Sequence, residues 1–409
     1  MSVSKIIVCF LVGGLISMPL APNVLAQSYF RNAASRMAQK EYQDVKGIRI
    51  GNAASLKVMV SQEGQYDSNI FLTPDTKKHD LISITSPKFL FDLPVGRESR
   101  HLFQLMYKAD AAAFSNYKSQ NYVDQEVLGK ANLALPFGSL NVQNDFRDTV
   151  DRASTEFTNQ VRRNENLSQM MLNIENNKLS YQTGYSHFLR HYHDSALETL
   201  NYMEDVFTGT TFYQVFTKTK ALIEYDHGLI NYSDDTTRDG DYDQIRTGFK
   251  MDLSEKTEGI VKMGYQQRDY DSTSREGFEG FVAEAGINAN FSEYTNLSFN
   301  YVSTAVESIS SSNNYYNLHA VSGELTRKLI GNFSLILSSQ FQRRQYPEMD
   351  PTANVKRRDS VLTEGCALQY MLKNRAKINL GYQFTTDISN IDSNDYKNDL
   401  ISLRFDFLI

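Results

Sequence analysis

The 409-residue chain contains no tryptophan and only two cysteines, and its lysines and arginines do not gather into runs. Beyond residue 26 it also lacks any apolar run near the roughly 18 residues that a membrane-spanning helix needs. The formal charge at pH 7 is −6. A mildly acidic chain without basic runs argues against nucleic acid as a partner. These absences exclude helical membrane spans after residue 26 and a nucleic-acid-binding function.

The first 26 residues have the three parts of a secretory signal peptide. Lys5 forms a basic start, an apolar stretch runs from residue 6 to about 20, and residues 24–26 (VLA) form a small-residue cleavage site. Two prolines interrupt the stretch, which disfavours a transmembrane anchor. Cleavage after Ala26 would change the formal charge from −6 to −7 and leave Cys366 alone, so no intramolecular disulfide could form.

Apolar and polar residues alternate with a period of two over runs of ten or more residues. The clearest runs are 245–253, 281–291, 377–384 and 401–409, the last reading ISLRFDFLI. This period is that of a β-strand. Soluble strands usually have about five or six residues. The longer runs therefore predict strands that can cross a bilayer at a tilt.

Short and long connections alternate between these runs. Short turns are predicted near residues 94–96, 136–138, 176–177, 208–209, 254–256, 292–294, 330–332 and 373–375. Longer polar loops are predicted near residues 73–78, 117–120, 153–160, 191–195, 233–241, 271–276, 308–314, 346–358 and 387–395. Eight short turns and nine long loops predict 18 strands, with successive short turns about 40 residues apart.

The predicted fold class is an all-β, transmembrane, antiparallel, up-and-down β-barrel of about 18 strands, within a range of 16–18. A propeller blade would need four short strands in each 40-residue period, and the chain has no tryptophan for a WD-type signature. A soluble sandwich gives no reason for short and long connections to alternate. We expect the last strand to pair with the first, near residues 55–62, and so to close the barrel.

The chain therefore divides into a predicted signal peptide (1–26), a periplasmic N-terminal segment (27–50) and an outer-membrane barrel (51–409). Residues 27–46 have apolar side chains at helical spacing at Phe30, Ala34 and Met37. Two interpretations of this segment stay open, a short helix in the periplasmic mouth of the barrel and a disordered leader.

Three stretches resemble a known family. They are GQYDSNIFLTPDTKKHDLISITSPKFLFDLP (64–94), LSYQTGYSHFLRHYHDS (179–195) and KALIEYDHGLINYSDD (220–235). They resemble the β-barrel porins often encoded beside exopolysaccharide or capsule operons, over about residues 50–409. The resemblance implies an outer-membrane location in a Gram-negative-type envelope and a role connected with polysaccharide secretion. It carries no catalytic motif.

Metal and catalytic sites have weak support in the sequence. His191 and His193 would share a strand face beside His187 and Asp194, but a metal site needs a further ligand from a neighbouring strand, and histidine in a loop is often only solvated. Neighbours such as Asp226 and His227 point to opposite faces of a strand and cannot form a dyad with each other. We therefore predict no enzyme, no metal and no cofactor.

The inward faces carry the chemistry that we expect to matter. A Lys or Arg side chain that faces lipid near the membrane midplane destabilises a barrel by roughly 2–4 kcal/mol. The alternate positions of each strand that carry charged residues should therefore face the lumen. The predicted pore-lining residues are Lys108, Asp110, Arg147, Lys218, Lys220, Glu224, Arg246, Lys250, Asp252, Lys262, Arg268, Glu284, Arg404 and Asp406. These side chains either line a water-filled conduit or fill a closed interior with salt bridges, and the conduit is the preferred interpretation.

The predicted function is a porin-like conduit or accessory component for exopolysaccharide export, and the alternative is a general diffusion porin or a structural barrel without a transport role. On two adjacent strands, Arg246, Lys250, Lys262 and Arg268 would form a basic ladder that attracts an anionic sugar polymer. The expected partners are outer-membrane lipid, the barrel-insertion machinery and, for the export function, an anionic polysaccharide with its export components.

Overall fold

A computed structural model describes residues 47–51, 53–151, 156, 159–254, 256–273, 275–310, 312–372 and 375–408. The predicted signal peptide and residues 27–46 lie outside these ranges. No helix within them is long and apolar enough to cross a membrane. The helical elements are five short 3₁₀ helices at Arg97–Ser99, Lys118–Gln120, Ser195–Leu200, Thr236–Arg238 and Asp392–Asn394.

Strands make up most of the described chain. In chain order they are β1 (Ile48–Ile50), β2 (Ala54–Asp67), β3 (Asp80–Val95), β4 (His101–Phe114), β5 (Tyr122–Leu135), β6 (Gly138–Thr149), β7 (Arg163–Asn176), β8 (Leu179–Tyr192), β9 (Tyr202–Phe216), β10 (Thr219–Tyr232), β11 (Gly240–Ser254), β12 (Thr257–Tyr270), β13 (Phe278–Ser292), β14 (Thr295–Glu307), β15 (Tyr315–Lys328), β16 (Phe333–Met349), β17 (Lys356–Leu372), β18 (Ala376–Ser389) and β19 (Tyr396–Leu408). All the pairings between them are antiparallel.

The sheet closes on itself. From β2 to β19 each strand pairs with the next, and β19 returns to β2 with a ladder from Leu400↔Asp67 to Leu408↔Met59. The short β1 also pairs with β2, at Ala54–Leu56. These residues lie before Met59, the residue of β2 at which the ladder with β19 ends. The predicted antiparallel barrel is thus confirmed, with 18 wall strands in the described part of the chain.

Short and long connections alternate around the barrel as predicted, and one predicted turn is wrong. The expected turn at Thr208 and Gly209 lies inside β9, and the chain turns instead at Thr217 and Lys218. Gly209 is paired with Tyr225 in the ladder, and a Cβ at this position would meet no atom within 4 Å. Gly209 is therefore a strand residue. The presence of a glycine was not enough to locate the turn.

The two faces of the wall differ in chemistry. Large apolar side chains such as Ile223, Phe249 and Phe281 are exposed on the outward face, whereas Glu224, at the intervening position of the same strand as Ile223, is buried inside. An exposed apolar band on a closed barrel suits a lipid environment, because each of the strands β2–β19 pairs with a neighbour on both sides. The alternation therefore separates a lipid-facing surface from a polar interior.

Tyrosines mark one edge of the outward band. The hydroxyl of Tyr225 donates to Asp243 at 2.5 Å, and the hydroxyl of Tyr382 donates to Asp399 at 2.7 Å. Both pairs join neighbouring strands near the long-loop end. Tyrosine suits this depth because its ring can face lipid while its hydroxyl reaches polar groups.

Candidate functional site

A hairpin leaves the barrel wall at the end with the long loops. The ladder between β13 and β14 stops at Ala283↔Ser303, and the ladder between β15 and β16 begins at Asn317↔Gln345. Residues 304–310 and 312–316, here called the inner hairpin, therefore have no ladder pairing with β13 or β16. Their side chains are buried on both strand faces from residue 304 to 308. The inner hairpin is therefore covered by other parts of the barrel at this end.

Apolar packing holds one side of the inner hairpin. Val306 and Tyr316 join a buried cluster with Val302, Leu318 and Tyr346 of the neighbouring wall strands. The rings of Tyr316 and Tyr346 are 5.4 Å apart. Buried aromatic pairs of this kind contribute roughly 0.5–1.5 kcal/mol beyond their area.

Glu307 ties the inner hairpin to the wall formed by β10 and β12. Its carboxylate accepts hydrogen bonds from the hydroxyls of Tyr232, at 2.8 Å, and Tyr270, at 3.1 Å. It also forms a buried ion pair with Arg268. A carboxylate with several donors can stay charged when buried, because the donors replace its water.

Glu156 ties the same hairpin from the opposite side of the barrel. This residue follows β6, about eight strands around the wall from β14. It accepts hydrogen bonds from the Ser308 hydroxyl at 2.7 Å, the Ile309 amide at 3.2 Å and the Tyr346 hydroxyl at 2.9 Å. The hairpin and Glu156 thus meet across the lumen.

Arg238, in the loop between β10 and β11, closes the ring of contacts. Its guanidinium donates to the carbonyl oxygens of Ser308 and Asn314 and lies 4.6 Å from the centre of the Tyr232 ring. Burial disfavours the charged form of Arg238, but Tyr232 and Glu307 favour it and hold its pKa above the ordinary value. The arginine therefore stays charged and bonded to the hairpin backbone.

Below the hairpin, charged side chains fill the interior along one wall. The buried network consists of Glu224, Asp226, Arg246, Lys262 and Glu284 on β10–β13. Arg246 contacts Glu224, lies 2.9 Å from Asp226 and lies 3.3 Å from Glu284. Lys262 lies 3.1 Å from Glu224 and 3.6 Å from Glu284. Arg246 is only 6 % exposed, so these charged groups pair with one another away from water.

The opposite wall carries ion pairs that remain accessible. The accessible strip consists of Lys108 and Asp110 on β4, Glu126 on β5, Asp145 and Arg147 on β6, and Arg404 on β19, which contacts the buried Asp406. Lys108 lies 2.6 Å from Asp110, and these side chains are 30 % and 27 % exposed. Arg147 and Arg404 are 23 % and 31 % exposed. Solvent reaches this side of the lumen.

The structure distributes the predicted pore-lining residues over three environments. Glu224, Arg246, Lys262, Arg268 and Glu284 are buried, and Lys108, Asp110, Arg147 and Arg404 are partly exposed, with Asp406 buried beside Arg404. Lys220, Lys250 and Asp252 lie on β10 and β11 towards the short turns, and Asp252 is exposed. Lys218 lies in the turn after β9 and not on a strand. The sequence placed that turn at Gly209, nine residues earlier.

Sequence reasoning missed the residues that hold the inner hairpin. Glu156, Arg238 and Glu307 lie in or next to segments that the sequence predicts as polar loops. One signal was present: residues 302–307 (VSTAVE) lack the strict alternation of the other strands, and all six are buried. A strand end without alternation is covered on both faces, which is a reason to expect it inside a barrel.

The histidines of the outer rim contact carboxylates. His187 Nδ1 lies 2.8 Å from Asp205, and His227 Nδ1 lies 2.9 Å from Asp243. Ligand atoms of His227, Asp241 and Asp243 lie within 4.8 Å of one another on the outward face. The rings of His191 and His193, which the sequence placed on one face, are 6.1 Å apart.

A family model described as "Putative beta-barrel porin 2" matches residues 208–407. No curated protein matches the chain. Among solved structures, a BenF-like porin from Pseudomonas fluorescens Pf-5 is 9 % identical, with a TM-score of 0.49 and coverage of 87 % of this chain and 99 % of that one. Pseudomonas aeruginosa OpdK with vanillate is 10 % identical, with a TM-score of 0.47 and coverage of 87 % and 99 %.

The family match agrees with the closed barrel and its apolar outward band. The matched segment, residues 208–407, lies within the closed barrel and is similar to that porin family. The description of the matched family is that of a porin.

Proposed function

We propose that this protein is an outer-membrane channel for small polar solutes, with a passage along the accessible strip and an outer end closed by the inner hairpin. The observation that carries the proposal is the departure of the inner hairpin from the ladders of β13 and β16. A hairpin without ladder pairing to these two strands can move without breaking their ladders with the rest of the barrel. Polar contacts from Glu156, Arg238 and Glu307 hold it in the closed position.

The solute class follows from the charges along the strip. Cations and carboxylates alternate there, with Lys108 beside Asp110 and Arg404 beside Asp406 at 2.6 Å. A passage lined by both signs has no strong net field, so it favours small polar solutes over solutes of one charge. Side chains that stay hydrated also let a solute leave again.

Export of an exopolysaccharide is the second candidate, and it rests on the resemblance stated above. The basic ladder that would favour it is neutralised along much of its length: Arg246 and Lys262 contact carboxylates of the buried network, and Arg268 contacts Glu307. An anionic polymer passing this wall would meet paired charges. The geometry therefore supports the small-solute channel better.

Planar-bilayer recordings test the channel proposal. Purified wild-type protein is compared with the double variant Glu156→Gln/Glu307→Gln, which keeps the shape of both side chains and removes their charge. We expect rare, short openings in the wild type and longer or larger openings in the variant, because the hairpin is held less firmly. Heat-modifiable migration in detergent gels checks that each barrel is folded.

Glu364→Gln is the matched control, since Glu364 accepts from Ser339 at 2.7 Å on an exposed surface away from the hairpin. It should behave as the wild type does. Folded barrels without conductance in either form contradict the channel, and equal conductance in both contradicts gating by the hairpin. Loss of surface polymer with normal small-solute uptake in a strain without this chain would favour export instead.

A further inference from the structure

The outward rim above β15–β17 carries cations on three neighbouring strands. Arg343 on β16 lies opposite His319 on β15 and Ser360 on β17, and Arg358 lies opposite Gln345. His319, Arg343 and Arg358 are all exposed. Arg343 and Arg358 are diagonal neighbours, which brings their long side chains within reach of one another. We call these three residues the basic sector.

These arginines differ from the arginines next to them in sequence. Arg344 points inward and lies 2.7 Å from Asp387, and Arg357 lies 2.9 Å from Asp359. Arg343 and Arg358 form no ion pair within the described ranges of the chain. Like charges on neighbouring strands repel each other. An anion between the two guanidinium groups would reverse that repulsion.

The height of the basic sector indicates where such an anion comes from. Phe341 and Leu337 precede Arg343 on the same outward face, and both are exposed members of the apolar band. Arg343 is the next outward residue beyond this band, towards the long loops. Outer-membrane barrels place their long loops at the cell surface, so this height is that of the outer-leaflet headgroups.

Another part of the rim carries the opposite charge. On β9–β13 the outward positions near the long loops hold carboxylates, namely Asp205, Asp241, Asp243, Asp269 and Glu279. Tyrosine or histidine side chains contact three of them, Asp205, Asp243 and Glu279. The charge therefore differs between these two parts of the rim. Among the described residues at this end, Arg162, Arg275 and Arg357 are paired with carboxylates, whereas Arg343 and Arg358 are not.

We propose that the basic sector binds the phosphate of a phosphorylated lipid of the outer leaflet. Two arginines can hold a phosphate through charge-assisted, bidentate hydrogen bonds. The hydroxyl of Ser360 and the ring of His319 lie beside Arg343 and can add donors. The acyl chains of the lipid would then cover Phe341 and the apolar band below it. This site is independent of the channel, so either can fail alone.

Lipid retention on the detergent-purified, full-length barrel tests the site. Native mass spectrometry measures binding of diphosphoryl lipid A, dephosphorylated lipid A and inorganic phosphate to the wild type and to Arg343→Gln/Arg358→Gln. We expect the wild type to retain diphosphoryl lipid A and the variant to bind it about tenfold more weakly or worse. Higher salt should weaken the wild-type complex, since exposed charges are screened.

Arg97→Gln/Arg100→Gln is the matched control, because it removes two exposed arginines from the opposite, short-turn end of the barrel. It should retain diphosphoryl lipid A as the wild type does. Equal retention of dephosphorylated lipid A, equal retention by the Arg343/Arg358 variant, or inorganic phosphate binding as tightly as the lipid would each overturn the proposal. Heat-modifiable migration confirms that every variant compared is folded.

Discussion

Two walls of the same lumen hold ion pairs in different surroundings. In the buried network, Arg246 serves three carboxylates and is 6 % exposed. In the accessible strip, Arg147 serves Asp145 at 2.7 Å and Glu126 at 3.4 Å and is 23 % exposed. The residue types are the same, and the difference lies in the water around them.

That difference decides what each set of charges can do. Removing one partner from a buried ion pair leaves an uncompensated charge in a medium of low dielectric constant. When one partner of an exposed pair is removed, water solvates the remaining charge and the loss of stability is small. We infer that the buried network fixes one packing of β10–β13. The accessible strip keeps its charges available to a solute.

The largest expected effect comes from Arg246→Met. The substitution leaves Glu224, Asp226 and Glu284 with only Lys262 among them, and we expect it to lower the free energy of unfolding by about 3–5 kcal/mol. The matching change in the accessible strip, Arg147→Met, should cost about 1 kcal/mol or less. Urea unfolding of barrels refolded in lipid vesicles measures both. Equal losses at the two positions would show that the walls do not differ.

A medium effect is expected from Gly228→Ala, because the lumen is tightly packed at this position. An added Cβ would lie 2.1 Å from the ring of Tyr242, whose hydroxyl donates to Glu204 at 3.0 Å and whose ring lies 5.0 Å from the Arg268 guanidinium. Overpacking of this kind costs roughly 1–3 kcal/mol. The same unfolding measurement applies.

Gly381→Ala is the control for that substitution. Its Cβ would meet only the Ser402 hydroxyl, at 2.9 Å, and this group can rotate away. We expect almost no change in stability. If Gly381→Ala were as destabilising as Gly228→Ala, tight packing would extend around the whole lumen.

The smallest expected change in free energy comes from reversing charges that line the proposed passage, and it is measured as a change in ion selectivity. Lys108→Glu/Arg147→Glu leaves Asp110, Glu126 and Asp145 without their cations in the accessible strip. We expect permeability to shift towards cations by about two- to fivefold, which corresponds to about 1 kcal/mol or less. Reversal potentials in a salt gradient give the ratio, measured in the Glu156→Gln/Glu307→Gln background if the wild type seldom opens.

Lys218→Glu/Lys256→Glu makes the same change of charge in exposed turns at the short-turn end. Its shift in selectivity should be clearly smaller. A shift as large as that of the strip variant would place the selective part of the passage at the turns.

The barrel itself could be predicted from residue order because lipid imposes a simple constraint. Outward side chains must be apolar and inward ones need not be, so Ile401, Leu403 and Phe405 identify the outward face of β19 without any knowledge of its neighbours. Alternating short and long connections then give the strand count. The failure at Thr208 and Gly209 shows the limit of turn signals, since a glycine paired within a ladder has the same composition as one in a turn.

The sequence by itself determined the strands, their inward phase and the closure of β19 on β2, because each depends on a local period of two or on the order of elements. The tertiary structure alone decided which inward charges are buried. Arg246 meets Glu284 across 38 positions of sequence, and Glu156 meets Ser308 across 152. The alternation along a strand shows whether a side chain points inward or outward. It does not show which residue faces that side chain across the lumen, and contacts across the lumen hold the inner hairpin.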